Sequence, residues 1–139
     1  MAPKIEEILK FIPNAGAKSK ALIEKAFMFA QKAHGGQLRK SGEPYFNHVF
    51  LTAKNLADLG MSPVVIAAGF LHDVLEDTKT EEEELKKEFG EEIVTLVQGV
   101  TKLGTVKYKG IERNVENLRK FFVSMTEDIR VLVIKLADR

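Results

Sequence analysis

Apolar residues recur at steps of three and four along almost the whole chain, and that spacing commits it to helices. Leu22, Ala26, Phe29 and Ala33 fall on one helix face, which Gly35-Gly36 ends, and the stretch to Pro44 reads as a loop. Val49, Ala53, Leu56 and Leu59 mark a second helix that stops at Gly60. Ser62 is a good N-cap and Pro63 suits a first helical position, where its missing N–H costs nothing. From Pro63 to Leu71 nearly every residue is apolar, so a helix running to about Asp77 is expected to be buried on most sides.

Thr80-Glu81-Glu82-Glu83 reads as a capping box that opens a helix ending near Gly90. Val94, Val97 and Val100 continue the period; Gly104 to Gly110 reads as a loop; Val115, Leu118, Phe122 and Met125 mark a further helix. The run Val131-Leu132-Val133-Ile134 fits a buried strand or a buried helix. With helices elsewhere and no second strand to pair with, Ile129 to Arg139 is read as a helix. The expected class is all-α. One domain over residues 1–139 suits the length, with neither repeat nor linker. The chain ends inside an apolar segment without Gly or Pro, so the domain is expected to be incomplete at its C-terminus.

There is no cysteine, which excludes disulfides and thiolate metal sites and is compatible with a cytoplasmic location. The start, Met1-Ala2-Pro3-Lys4-Ile5-Glu6-Glu7, does not read as a signal sequence, and no apolar run is long enough to span a bilayer. Lys and Arg (21) nearly balance Asp and Glu (20), so no global field argues for nucleic acid or a membrane as partner. Any ligand must be read locally.

The local signal is His72-Asp73-Val74-Leu75-Glu76-Asp77. On a helix Glu76 lies four residues from His72 and three from Asp73, and Asp77 four from Asp73. Three carboxylates thus crowd an imidazole at a helix C-terminus, where the macrodipole disfavours acids. A bound cation would remove the conflict. A solvated acidic helix end explains Glu76-Asp77 alone, but not the whole cluster after a buried helix. Asp138 interrupts the most hydrophobic end of the chain and needs a partner if that end is buried. Taken alone, His48 is better explained as a capping or core histidine than as a ligand, and His34 as a helix-terminal residue favoured by the dipole.

The series His48, His72-Asp73, Asp138 resembles the ligand set of HD-domain phosphohydrolases. The words Ala33-His34-Gly35-Gly36-Gln37, Ser41-Gly42-Glu43-Pro44-Tyr45, Gly99-Val100-Thr101-Lys102-Leu103, Asp128-Ile129-Arg130 and Ile134-Lys135-Leu136-Ala137-Asp138-Arg139 narrow it. Together they resemble the N-terminal hydrolase domain of the RelA/SpoT alarmone enzymes, from about Ala21 to the last residue. The resemblance implies an HD-domain helical bundle that removes the 3′-pyrophosphate of guanosine tetra- or pentaphosphate, giving GDP or GTP and pyrophosphate.

By matching position, His48, His72, Asp73 and Asp138 would bind one Mn²⁺, a mixed nitrogen and oxygen site suited to that ion. Glu76 and Asp77 would position and activate the attacking water, and Arg39, Lys40 and Ser41 would contact the guanine nucleotide. Val49 stands where the family usually has Pro, which alters no ligand. The family continues beyond Arg139 with a Leu-His-Asn stretch and further helices, and an incomplete core is expected to drive self-association through the cut end. Two other readings are an HD phosphohydrolase acting on another nucleotide and a nucleotide-binding fragment without turnover. The basic stretch from Lys102 to Lys120 reads mainly as a solvated face.

Overall fold

Pro63–Leu71 form the helix around which the others pack, and its composition explains why. Every residue from Val65 to Leu71 is buried, so neighbours must cover it on all sides. The computed structural model describes residues 3–109 and 129–138. In chain order its helices are α1 (Glu6–Leu9), α2 (Ala17–Ala33), α3 (Tyr45–Asp58), α4 (Pro63–Leu71), α5 (Val74–Asp77), α6 (Glu82–Phe89), α7 (Glu91–Lys109) and α8 (Ile129–Ala137). Helices α2, α3, α7 and α8 all pack against α4, giving an all-α bundle. Among the described residues the extended pairing is an isolated bridge between Leu38 and Pro44, and no helix is long and apolar enough to cross a membrane.

Local chemistry sets the ends of α4 and its neighbours. Ser62 Oγ accepts the Val65 N–H at 3.4 Å, with Pro63 at the first position as expected. Phe27, Phe46 and Phe70 join α2, α3 and α4. Phe27 meets the other two edge-on, with centroids 5.2 and 5.8 Å away, an arrangement worth about 0.5–1.5 kcal/mol per pair beyond burial. Two glycines set the closest approaches. A Cβ on Gly69 would overlap Leu56 Cδ1 of α3, and one on Gly99 would lie 2.7 Å from Val131 Cγ2 of α8.

Three boundaries differ from the sequence expectation. The helix from Pro63 does not run unbroken to Asp77: it stops at Leu71, and α5 restarts at Val74. Thr80 does not cap α6, whose N-cap is Glu81. Its hydroxyl instead lies 2.9 Å from Thr78 Oγ1, and Thr78 closes α5 by donating to the Val74 carbonyl at 2.6 Å. The loop expected from Gly104 is helical through Lys109; a lone helical glycine costs only about 1 kcal/mol, within what a packed helix absorbs. Gly110 and the helix expected around Val115 to Met125 lie outside the described residues, as does much of the Lys102 to Lys120 stretch.

Candidate metal centre

The break after Leu71 creates the centre. His72 Nδ1 lies 2.6 Å from the Gly69 carbonyl, the acceptor that a continuing helix would offer to the Asp73 N–H. Asp73 leaves helical geometry at φ −103°, ψ 0°. On an unbroken helix, adjacent side chains point about 100° apart. Here they converge, with His72 Nε2 2.9 Å from Asp73 Oδ2.

Two other elements complete the cluster. His48, in the first turns of α3, places Nε2 2.6 Å from Oδ1 of Asp138, which follows α8. The same Asp138 oxygen is 3.4 Å from His72 Nε2. Asn55 of α3 fixes the end of α8 by donating to the Ala137 carbonyl at 3.3 Å. The four residues expected as ligands thus come together, each offering one donor atom within 4.8 Å of the others.

The donor set fits a divalent cation. His72 is only 1 % exposed, and its Nε2 faces Asp73 Oδ2 at 2.9 Å and Asp138 Oδ1 at 3.4 Å with no protein hydrogen bond formed among the described residues. A carbonyl can only accept, so Nδ1 carries the proton and Nε2 is left to face the cluster. Without an ion, burial alone would lower the His72 imidazole, but Asp138 and Asp73 outweigh it and raise it to about 10. Burial works against ionisation of both carboxylates as well. His72 and the Tyr45 hydroxyl nonetheless hold Asp73 below its ordinary range, and His48 with His72 holds Asp138 well below. The pocket is built for positive charge.

Glu76 and Asp77 stand on the single turn of α5, both exposed. Burial, Asp73 and Asp77 push the Glu76 carboxyl above its ordinary range. Arg39, Lys40 and Ser41 form the exposed tip of a tight hairpin between α2 and α3. Arg39 N–H donates to the Glu43 carbonyl and Gly42 N–H to the Arg39 carbonyl, each at 2.8 Å, with Gly42 at φ +92°. Arg39 also shares a cleft of about 560 Å³ with His48, Asn47, Phe50 and Lys54. Lys40 and Ser41 sit farther out on the tip.

The contacts of Tyr45 and Gln37 with this centre were not expected from the sequence. The Tyr45 hydroxyl lies 2.7 Å from Asp73 Oδ2 and 3.0 Å from Asp77 Oδ2. Burial and both carboxylates push this phenol up, so it stays protonated and donates. Gln37 Nε2 donates to the Asp77 carbonyl. One signal was available: Tyr45 stands three residues before His48 and shares its helix face. Gln37 carried none. His34 does end α2, as expected, but it is also buried, with Nδ1 2.8 Å from Gln37 Oε1 and its ring stacked on Tyr45.

Residues 26–139 match the HD-domain family model. Among curated proteins, a guanosine-3′,5′-bis(diphosphate) 3′-pyrophosphohydrolase of Aquifex aeolicus is 45% identical over 97% of this chain and 18% of its own length. A probable enzyme of the same name from Synechocystis is 51% identical over 85% of this chain and 16% of its own length. A GTP pyrophosphokinase of Streptomyces coelicolor is 44% identical over 99% of this chain and 16% of its own. The chain therefore spans less than a fifth of the length of these relatives. A solved structure described as a metazoan ortholog of SpoT that hydrolyses ppGpp superposes with a TM-score of 0.64 at 28% identity, covering 85% of this chain and 66% of that one. With its histidines and aspartates gathered from α3, the α4–α5 break and the end of α8, the chain belongs to the HD-domain family.

Proposed function

We propose that this domain hydrolyses the 3′-pyrophosphate of guanosine tetra- or pentaphosphate, giving GDP or GTP and pyrophosphate, with Mn²⁺ bound by His48, His72, Asp73 and Asp138. The observation that carries the reading is the buried His72 Nε2, which has no hydrogen bond among the described residues and faces two carboxylates and a second imidazole. The names of the relatives at 45% and 51% identity supply the substrate.

An ion held there would acidify a bound water and draw charge from a phosphoryl oxygen. Glu76, its carboxyl already raised, takes the water's proton as the oxygen attacks the phosphorus joined to O3′. Asp77, tied to Tyr45, directs the water. The bond from phosphorus to O3′ breaks, the ribose oxygen leaves and takes a proton from solvent, pyrophosphate departs, and Glu76 returns its proton to solvent. Arg39 reaches the nucleotide through the cleft it shares with His48, where a guanidinium can grip phosphate or stack on the base; Lys40 and Ser41, exposed on the same hairpin tip, add further contacts to it. The proposed unit is the whole of residues 1–139, since Ile8, outside the matched segment, is fully buried beside α3. A cytoplasmic location goes with a nucleotide substrate.

The test is pyrophosphate release from guanosine tetraphosphate with Mn²⁺, with chelator, and in Asp73→Ala. The proposal expects release with Mn²⁺ alone and none from the variant. Metal-bound protein that releases nothing, or that cleaves another nucleotide instead, would overturn the substrate assignment.

A further inference from the structure

The acidic turn α5 is anchored at its start by the buried Val74, while its acidic end, Glu76 and Asp77, is exposed. Four residues make one turn, well short of what is stable in isolation. Its last residue is nevertheless pinned twice. Gln37 donates to the Asp77 carbonyl, and the Tyr45 hydroxyl lies 3.0 Å from the Asp77 carboxylate. Those two anchors are themselves joined, because Tyr45 N–H donates to the Gln37 carbonyl at 2.9 Å.

His34 closes the ring. Its Nδ1 meets Gln37 Oε1 at 2.8 Å, and its imidazole stacks on Tyr45 with centroids 5.0 Å apart. The Gln37 amide is thereby used at both ends, which fixes its orientation. The Tyr45 ring lies over His34 while its hydroxyl meets two carboxylates, one at the helix break and one at the end of α5. The phenol has one proton to donate, and it lies between Asp73 Oδ2 at 2.7 Å and Asp77 Oδ2 at 3.0 Å. Reaching Asp77 as well sets the angle between the two acids.

We propose that Tyr45, Gln37 and His34 are positioning residues: a strut from the end of α2 that aligns Asp77, and with it Glu76, against the ligand carboxylate of Asp73. The proposal rests on the functional reading above for the roles of those acids. Tyr45 alone touches a ligand, so it orients Asp73 and Asp77; Gln37 acts on the acidic turn only. Groups that orient metal ligands from behind typically change affinity or activity about 10- to 100-fold when removed.

The experiment compares Tyr45→Phe and Gln37→Leu with wild type in three measurements: Mn²⁺ affinity by electron paramagnetic resonance, kcat and KM on guanosine tetraphosphate, and melting temperature. Both variants should lose about 10- to 100-fold in kcat with KM changed less than about twofold and melting little altered. Only Tyr45→Phe should weaken Mn²⁺ binding. Wild-type kcat in both variants would overturn the strut, as would losses that merely track a fall in melting temperature. If wild type itself releases no pyrophosphate, the functional reading fails separately. The Mn²⁺ affinity of Tyr45→Phe then decides, and an unchanged value overturns the strut.

Discussion

His72 donates its Nδ1–H to the Gly69 carbonyl at 2.6 Å, and this one bond both breaks the helix and aims the other ring nitrogen at Asp138 and Asp73. Sequence-adjacent His and Asp side chains would diverge on a regular helix. The HD pair works as a pair because the histidine takes over a backbone acceptor one turn behind it.

Metal uptake should displace a proton. In the ion-free protein His72 titrates at about 10, above the ordinary value near 6.5 expected unfolded. Its charged form therefore stabilises the fold fully below pH 6.5, and that contribution is lost as pH rises through about 10. An ion needs Nε2 unprotonated. Apparent Mn²⁺ affinity should rise about tenfold per pH unit across the neutral range, with about one proton released per ion. Calorimetry in buffers of different ionisation enthalpy counts that proton; a count of zero would remove His72 from the ligand set.

Glu76→Gln should separate proton transfer from metal binding. Glu76 lies outside the four converging donors, and its raised carboxyl suits a base. The amide keeps the shape and cannot accept the proton as a carboxylate does. We expect Mn²⁺ affinity near wild type and kcat lower by about 10²–10⁴-fold, the usual range for a lost general base. A wild-type rate would shift the role to Asp77.

What the sequence reveals divides by the range of the interaction responsible. Gly35-Gly36 after α2 and Ser62-Pro63 before α4 act within a few residues, so those ends were legible. That His48, His72, Asp73 and Asp138 come together was legible through resemblance, and the conflict of charges around His72 pointed to the same place. The break at Asp73 was not, because helical periodicity carries no trace of a side chain capturing a carbonyl. Tyr45 and Gln37 were missed for a related reason: their partners Asp73 and Asp77 lie 28 and 40 residues away in sequence. The length of α7 past Gly104 was missed because glycine weakens a helix without forbidding it.

Arg39→Ala should act on substrate and leave the ion alone. The side chain is exposed on the hairpin and lines the cleft beside His48, while the backbone hydrogen bonds of the turn do not depend on it. A charge-assisted contact to phosphate is worth about 1.5–3 kcal/mol, so kcat/KM should fall about 10- to 100-fold, mostly through KM. Bound Mn²⁺ should be unchanged. Because the fork of donors matters as well as the charge, Arg39→Lys should recover only part of the loss. An unaltered KM in Arg39→Ala would make it a solvated surface residue.

Gly69→Ala should damage both the core and the metal centre. An added Cβ overlaps Leu56 Cδ1 and lies 3.6 Å from Ala53 Cα, and Leu56 is fully buried with no solvent to swing into. Overpacking costs about 1–3 kcal/mol, offset by a gain of about 1 kcal/mol in helix propensity. The net loss of up to about 2 kcal/mol corresponds to a melting temperature lower by up to about 8 °C for a chain of this size. Since the same residue's carbonyl holds His72, relaxing the clash by moving α4 also turns the imidazole, and Mn²⁺ affinity should fall with stability. Adding Leu56→Ala makes room for the methyl group, so the double variant should be more stable than the sum of the two single losses predicts. Strict additivity, or wild-type melting of Gly69→Ala, would show that α3 and α4 tolerate a side chain at their crossing.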